Sequence, residues 1–273
     1  MLVVLKNLIN FSVLEAVRRA KEECPRIDAK TARWARRNLS PNTARPVAFW
    51  GWADLGFSIS GNQVYNPPHA TAVSVAKLTF YEWLVGNPRL KDHLLWHTME
   101  KEEAIGWFKD GAKSVYCRAL SRGKSGAGIT VAHSPEEVVD SVYYTKGVQI
   151  STEFRVHFFT LNDLTLVTQK LKLGKSARED RGSSFNREIR THDNGWVYGQ
   201  PNDKLPEDSA HVARGLALEI GHEIGLTYGC VDFIHDSEGN KVWIVEANSA
   251  PGVSGESATE FYSNVFKEIY NHA

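Results

Sequence analysis

The sequence lacks the features that mark several large classes of protein. No apolar run in its 273 residues approaches the roughly 20 residues that cross a bilayer. Its apolar start is interrupted by Lys6 and has neither the basic beginning nor the small-residue cleavage site of a signal peptide. The three cysteines, Cys24, Cys117 and Cys230, form no CxxC pair, so no disulfide framework or structural zinc site is expected. These absences favour a cytoplasmic protein without a membrane partner.

Two catalytic signatures are also missing. His222 and Glu223 have no second histidine at the spacing of a zinc protease, and no histidine pair at metal-ligand spacing stands near a further acid. The glycine-rich segment 121–128 is not a P-loop, because Arg118 stands where the first glycine of that motif belongs. The segment does not spell GxGxxG either. Neither a zincin site nor a P-loop is therefore predicted.

The charge is balanced overall but unevenly distributed. The chain has 32 basic and 32 acidic residues, a formal net charge of zero. Residues 1–45 carry ten basic and four acidic side chains, and residues 203–273 carry four basic and twelve acidic ones. The basic start is compatible with a nucleic-acid or acidic partner. The pattern favours the plainer interpretation of a solvated helical face, since arginine pairs at helical spacing are common on surfaces.

Helical and strand patterns follow one another along the chain and predict an α+β protein. Helices are expected over one or two segments within 12–37, over 70–85, from Ser134, over 207–224 and from Glu256. Strands are expected over 46–52, 113–120, 129–132, 141–145, 153–161, 164–173, 228–236 and 241–248. The polar, arginine-rich segment 172–194 is predicted to be a loop.

The hairpin near the C-terminus is the strongest chemical signal. Strand alternation brings Asp232, Glu246 and Asn248 onto one face if the hairpin pairs directly. Two carboxylates and an amide oxygen make a poor core and a good site for a hard cation such as Mg²⁺. The alternative is a pair of solvent-facing acids on an exposed sheet face. The metal-site interpretation therefore depends on further evidence from other residues.

The glycine-rich loop gives such support. Gly123, Ser125, Gly126 and Gly128 lie between two predicted strands. A loop of this composition lets backbone N–H groups approach phosphate oxygens closely. An ordinary hairpin turn is the alternative explanation.

Three cations on strands agree with a phosphate ligand. Arg118 precedes the glycine loop, Arg155 lies in the segment EFRVHFF, and Lys170 lies near the end of the next strand. Basic side chains inside strands are unusual unless an acid or a ligand pairs with them. A triphosphate needs cations and donors on several sides, which this set would supply.

Taken in order, these segments resemble the ATP-grasp superfamily. The resemblance runs from VYCRALSRGKSGAGITVA through TEFRVHFF and QKLKL to VDFIHDSEGNKVWIVEANSAPG, about residues 113–252, and extends more loosely to the helix with Lys77. The final D…E-x-N-x-x-PG pattern is its most specific mark. The general form is nearest to carboxylate–amine ligases of the RimK and D-alanine–D-alanine ligase kind, and EFRVHFF resembles a group of viral and bacterial ATP-grasp proteins.

The resemblance implies an ATP-grasp fold with an N-terminal α/β pre-ATP-grasp portion. The portion would span residues 1–100, a small lid 101–150, and a large subdomain 151–273. ATP would lie between the sheets of the lid and the large subdomain.

It also implies roles for individual residues. The Mg²⁺ ligands would be Asp232, Glu246 and Asn248. Nucleotide-binding residues would be Lys77, Arg118, Gly123, Ser125, Gly126, Gly128 and Lys170 at the phosphates, Tyr144, Thr145 and Lys146 at the hinge beside adenine, and Glu153 at the ribose. Arg155 and Arg190 would be catalytic, facing the γ-phosphate or the acyl phosphate.

Two positions depart from the family pattern. Arg118 stands where many members have lysine, which keeps the charge but changes its geometry. Cys230 stands where D-alanine ligases have an arginine, which argues against that particular reaction. We interpret Cys230 as a small buried strand residue rather than a nucleophile.

The implied function is ligation of a carboxylate to an amine through an acyl phosphate, with ATP and Mg²⁺. The amine would belong to a small molecule or to a macromolecule. Two alternatives stay open at this point: an ATP-grasp kinase of a small hydroxyl compound, and a nucleotide-binding module that engages nucleic acid through the basic start.

Overall fold

A computed structural model describes residues 1–6, 13–43, 45–51, 58–59, 63–121, 126–180, 185–202 and 204–272. Within these ranges the chain forms three sheets of four, four and five strands with eight α-helices, which confirms the α+β prediction. No helix in the described parts is both long and apolar enough to cross a membrane.

The N-terminal portion is a four-stranded parallel sheet. Its elements are β1 (Leu2–Lys6), α1 (Leu14–Glu23), β2 (Ile27–Thr31), α2 (Ala32–Asn38), β3 (Val47–Trp50) and β4 (Val64–Tyr65). The strands lie in the order β2-β1-β3-β4. The prediction of helix alone over 12–37 is therefore wrong, because β2 lies between the two helices. Its sequence, IDAKT, has little intrinsic strand preference, and pairing with β1 decides its structure.

The single helix predicted over 70–85 is two helices, α3 (Pro68–Val75) and α4 (Lys77–Val85). Ala76 breaks it with an extended backbone, φ −107° and ψ 112°. Lys77 consequently begins a helix, and Phe80, Tyr81 and Leu84 of α4 are buried in the core of the large sheet.

The second sheet is small and antiparallel. It contains β5 (His97–Thr98), β6 (Val115–Arg118), β7 (Ile129–Ala132) and β8 (Tyr143–Lys146) in the order β5-β8-β6-β7, with α5 (Lys101–Lys109) on one face. The helix expected from Ser134 is only a 3-10 turn, Pro135–Glu137. It ends because Val138 takes an extended conformation and packs into the core under α5.

The third sheet is the largest. Its strands are β9 (Ile150–Phe159), β10 (Leu164–Lys172), β11 (Trp196–Gly199), β12 (Tyr228–Asp236) and β13 (Lys241–Asn248), and the helices of this part are α6 (Lys175–Asp180), α7 (Glu207–Ile224) and α8 (Glu256–His272). All strands are antiparallel, in the order β11-β10-β9-β12-β13. The loop predicted over 172–194 is thus partly wrong, since it contains α6.

Side-chain alternation gives the large sheet two different faces. Phe154, Val156 and Phe158 of β9 share a buried core with α7 and α4. Glu153 and Arg155, which alternate with them, turn to the opposite face, and that face lies towards the small sheet. The sheet is therefore an apolar support on one side and a charged surface on the other.

The predicted subdomain boundaries stay predictions. Strand β5 lies before residue 100 in the sequence but belongs to the small sheet. Helices α3 and α4 also lie before residue 100, and they pack against the large sheet.

Two glycines of α7 should respond oppositely to alanine. A Cβ at Gly221 would lie 2.6 Å from Cε2 of Phe158 and 2.9 Å from Cγ2 of Thr160, whereas one at Gly215 would meet nothing within 4 Å. We expect Gly221→Ala to lower the free energy of unfolding by about 1–3 kcal/mol through overpacking. Gly215→Ala should raise it by about 1 kcal/mol through helix propensity. Urea unfolding measures both, and equal effects would contradict the packing of α7 on β9.

Candidate functional site

A cleft of about 1240 Å³ lies between the small sheet and the large sheet. The large sheet contributes strand residues from β9 to β13, and the small sheet contributes Tyr116, Arg118, Thr145 and Lys146. The cleft continues past Asn248 to Trp50 at the end of β3, so all three sheets border it. This is the place where the sequence predicts a nucleotide.

A β-bulge aligns the predicted metal ligands. Asp236 pairs with Lys241 next to the turn, and continuing that register would place Asp232 opposite Val245. The register shifts between Asp232 and Phe233, so that Asp232 pairs with Glu246 instead. The two carboxylates then share the cleft face. The pairing is interrupted by this bulge, and the arrangement that the sequence made conditional on direct pairing, two facing carboxylates, is present.

Asp232 is held by a buried ion pair. Nε of Arg155 donates to its Oδ1 at 2.6 Å, and Nη2 of Arg155 donates to its Oδ2 at 2.9 Å. The two residues are only 8% and 4% exposed. Burial lowers the pKa of Arg155, but Asp232 raises it further, so the net pKa lies well above the ordinary value and the guanidinium stays charged. This fork geometry fixes the carboxylate plane.

Two further ion pairs border the cleft. Lys77 at the start of α4 pairs with Glu246, and Lys170 on β10 pairs with Glu153. Nδ2 of Asn248 donates to Oε1 of Glu246 at 3.1 Å. Burial raises the pKa of Glu246, but Lys77 and the hydrogen bond from Asn248 lower it more, leaving it well below the ordinary value. Glu246 is thus an anion at neutral pH.

Three other cations reach the cleft without a carboxylate within salt-bridge distance in the described chain. Nε of Arg118 donates to Oγ1 of Thr145 at 3.3 Å, and Nζ of Lys146 lies 5.2 Å from the ring centre of Trp96. Arg190 donates to the carbonyl oxygens of Arg187 at 3.1 Å and Ile150 at 3.4 Å. Burial lowers the pKa of Arg190.

The charges that line the cleft leave an excess of cations. Among the described lining residues, six are basic and four are acidic, an excess of two positive charges. They are Lys77, Arg118, Lys146, Arg155, Lys170 and Arg190 against Glu153, Glu188, Asp232 and Glu246. Such a surface attracts a polyanion.

Most of the residues predicted for the site line this one cleft: Lys77, Arg118, Gly126, Thr145, Lys146, Glu153, Arg155, Lys170, Arg190, Asp232, Glu246 and Asn248. Gly128 and the side chain of Tyr144 are not among the lining residues. Tyr144 turns to the core under α5, where its hydroxyl donates to the carbonyl oxygen of Val139 at 3.2 Å. Gly123 and Ser125 lie outside the described residues. The individual roles stay predictions.

Gly126, near the end of the glycine-rich segment, lies close to Ile189 and Thr191. Gly126 has φ +74°, which favours glycine, and a Cβ there would lie 2.6 Å from Cγ2 of Ile189. Gly126 therefore lies against the segment that contains Arg190.

Sequence reasoning missed two groups of lining residues. The first is an apolar wall at the end of the cleft near Lys146, formed by Leu95, Val148, Ile150, Ile234 and Val245. The second is the strand β11 with Trp196 and Tyr198. Alternating aromatic residues after Gly195 were the available signal for that strand, but four residues are too few to stand out beside a polar loop.

Cys230 is fully buried beside Asn248 on the hairpin. Burial raises the pKa of its thiol well above the ordinary value, which is unfavourable for a nucleophile. The structure therefore supports the interpretation of Cys230 as a packing residue.

The donor set suits a hard cation. Asp232, Glu246 and Asn248 offer carboxylate and amide oxygens, the ligands that Mg²⁺ prefers. Within the described residues, no three histidine, cysteine or acidic side chains come together as a metal cage. A Mg²⁺ ion at this hairpin would therefore need further oxygens from water or phosphate.

Solved structures decide the fold. D-alanyl-alanine synthetase A from Vibrio cholerae superposes with a TM-score of 0.66 at 13% identity, covering 99% of this chain and 97% of that one. The ATP-grasp ligase PsnB gives 0.65 at 11% identity, covering 100% and 99%. D-cycloserine synthetase DcsG gives 0.61 at 12%, covering 98% of both. The chain has the ATP-grasp fold.

Sequence comparison gives a shorter match than the structural comparison does. No protein-family model matches the chain. The D-alanine–D-alanine ligase of Neisseria meningitidis is 33% identical over 75 residues, which are 27% of this chain and 24% of that relative. The ATP-grasp resemblance stated from the sequence is confirmed as a fold, and the match to this relative spans about a quarter of its length.

The ion pair at the centre of the ATP-grasp cleft predicts a strong coupling. Asp232→Leu or Arg155→Met alone leaves a buried charge without its partner and should cost about 3–5 kcal/mol of unfolding free energy. The double variant should recover at least about 2 kcal/mol of the summed loss, because neither charge remains. Urea unfolding of the four proteins gives the coupling energy. Additive single effects would show that the pair does not form.

Proposed function

We propose that this protein is an ATP-dependent ligase that joins a carboxylate to an amine through an acyl phosphate. The observation that carries the proposal is the carboxylate pair Asp232 and Glu246, aligned by the bulge and facing the cations of the cleft between two sheets. A site with hard oxygen donors on one side and, on the other, cations that lack a carboxylate partner among the described residues suits a metal-bound polyphosphate.

The structural relatives support this proposal. They are named as D-alanyl-alanine synthetase, D-cycloserine synthetase and ATP-grasp ligase, and PsnB has been solved with a precursor variant, Mg and ADP. Their low identity gives the fold only, so the reaction of this chain rests on its own residues.

Each wall of the cleft would take one part of Mg-ATP. Asp232, Glu246 and Asn248 would hold Mg²⁺, which supplies charge neutralisation at the phosphates. Lys77, Arg118 and Lys170 would contact phosphate oxygens. The apolar wall would contact adenine near the segment Tyr144–Lys146, and Glu153 would approach the ribose.

The protein's own contribution is position and charge. A carboxylate oxygen of the substrate attacks the γ-phosphorus, and the bond from that phosphorus to the oxygen of ADP breaks. The amine nitrogen then attacks the acyl carbon, phosphate leaves, and the amine loses a proton. Arg155 and Arg190 would stabilise the negative charge that gathers on the transferred oxygens.

The amine substrate can be small or part of a macromolecule. PsnB is an ATP-grasp ligase solved with a precursor, whereas the D-alanyl-alanine and D-cycloserine synthetases are named for small products. We propose a reaction in the cytoplasm, as the cysteine pattern favours.

Replacement of Glu246 by glutamine tests the metal assignment. Glu246→Gln removes one anionic ligand and should reduce phosphate release from Mg-ATP at least about 100-fold, with an unchanged fold. The assay presents pools of carboxylates and amines to the purified protein.

The matched control is Glu238→Gln on the exposed turn between β12 and β13, where Glu238 pairs with Lys113. It should leave turnover unchanged. Full activity of Glu246→Gln would contradict the metal assignment. Phosphorylated product without free phosphate would contradict ligation and indicate a kinase.

A further inference from the structure

The edge strand β11 presents two aromatic rings to the cleft. Tyr198 pairs with Lys170 of β10, and Trp196 pairs with Lys172. Because residues two apart on a strand share a face, both rings stand on the same side, and both line the cleft. They belong to the segment for which the sequence predicted no element.

Tyr198 touches two cations at once. Its ring centre lies 4.2 Å from Cζ of Arg155 and 5.1 Å from Nζ of Lys170. Cations are attracted to the negative face of an aromatic ring, and more strongly when both are removed from water. Burial raises the pKa of the phenol well above its ordinary value, so Tyr198 stays neutral beside these cations.

The ring of Trp196 contacts Arg190 and Phe185. Cζ of Arg190 lies 4.8 Å from its ring centre, and the ring of Phe185 stacks on Trp196 at 5.7 Å and 26°. Phe185 in turn contacts Arg178 at 4.6 Å. Nε1 of Trp196 donates to the carbonyl oxygen of Asn186 at 2.7 Å, which fixes the plane of the indole.

The two rings lie beside cations of like charge that are close together in the cleft. Arg155, Lys170 and Arg190 all line the cleft and repel one another. Asp232 and Glu153 compensate the first two, but within the described residues no carboxylate lies within salt-bridge distance of Arg190. An aromatic face stabilises a cation without cancelling its charge, so the cation remains available to an anionic ligand.

We propose that Trp196 and Tyr198 are positioning residues that hold Arg190, and Arg155 with Lys170, where these cations meet the phosphates of the nucleotide. This inference rests on the proposed function, because it assumes that the cleft binds ATP. It adds an explanation of how the cations are held in position for phosphate binding.

Four variants separate the ring from the rest of each side chain. Tyr198→Leu and Trp196→Leu remove the aromatic face, and we expect each to weaken Mg-ATP binding about tenfold. Tyr198→Phe keeps its ring and should bind Mg-ATP within about twofold of the wild type. Trp196→Phe keeps a ring but loses the hydrogen bond to Asn186, so it should bind more tightly than Trp196→Leu. The hydroxyl of Tyr198 has no hydrogen-bond partner in the described chain, so its removal should cost little.

Calorimetry of Mg-ATP and of adenosine distinguishes positioning from general damage. Adenosine has no phosphates and should bind the leucine variants as it binds the wild type. Measurements at a temperature well below each variant's thermal unfolding midpoint keep nearly all of the protein folded. Tyr270→Leu, at a half-buried ring on α8 that does not line the cleft, is the matched control and should leave both affinities unchanged.

Two results would overturn the inference: leucine variants that bind ATP as the wild type does, or an equal loss of adenosine and ATP affinity. In both cases the proposed function survives, because the wild type binds ATP. A wild type that does not bind ATP would overturn both. Since Trp196 and Tyr198 are tested separately, failure of one variant to fold leaves the other decisive.

Discussion

The ion pair between Arg155 and Asp232 is the interaction on which the site depends. It joins two neighbouring strands of the large sheet, β9 and β12, by two hydrogen bonds between buried side chains. Removing these charges from water is costly, so the pair is weak evidence for stability alone. Its evident effect is order: it fixes the carboxylate of Asp232 beside Glu246 and keeps a guanidinium at the floor of the cleft.

The remaining charges follow from this arrangement. A carboxylate that binds a cation must stay ionised in a cleft, and Lys77 achieves this for Glu246 by holding its pKa well below the ordinary value. Arg155 fixes the orientation of the Asp232 carboxylate. Arg155, Lys170 and Arg190 repel one another in the cleft, and contacts with acids and with the rings of β11 offset the cost of that repulsion. The cleft therefore combines a net positive charge with a local anionic pair, which is what a metal-bound polyphosphate requires.

Much of this could be predicted from the sequence, because the long strands and α7 carry strong periodic patterns and because the full D…E-x-N-x-x-PG pattern is specific. The pairing register of β12 with β13 could not be predicted. The turn at 237–240 alone would put Asp232 and Glu246 on opposite faces, and only the bulge at Val245 reunites them. Likewise, tertiary packing decides that Thr145 faces the cleft and Tyr144 the core, and the short strands β2 and β11 owe their structure to their neighbours.

The most direct test of the account is a crystal structure of the protein grown with ADP and Mn²⁺, which replaces Mg²⁺ and scatters anomalously. We predict an anomalous peak within about 2.5 Å of carboxylate oxygens of Asp232 and Glu246, with the diphosphate between them and the cations of the small sheet. A nucleotide bound elsewhere, or a metal that does not touch these two carboxylates, would contradict the central claim.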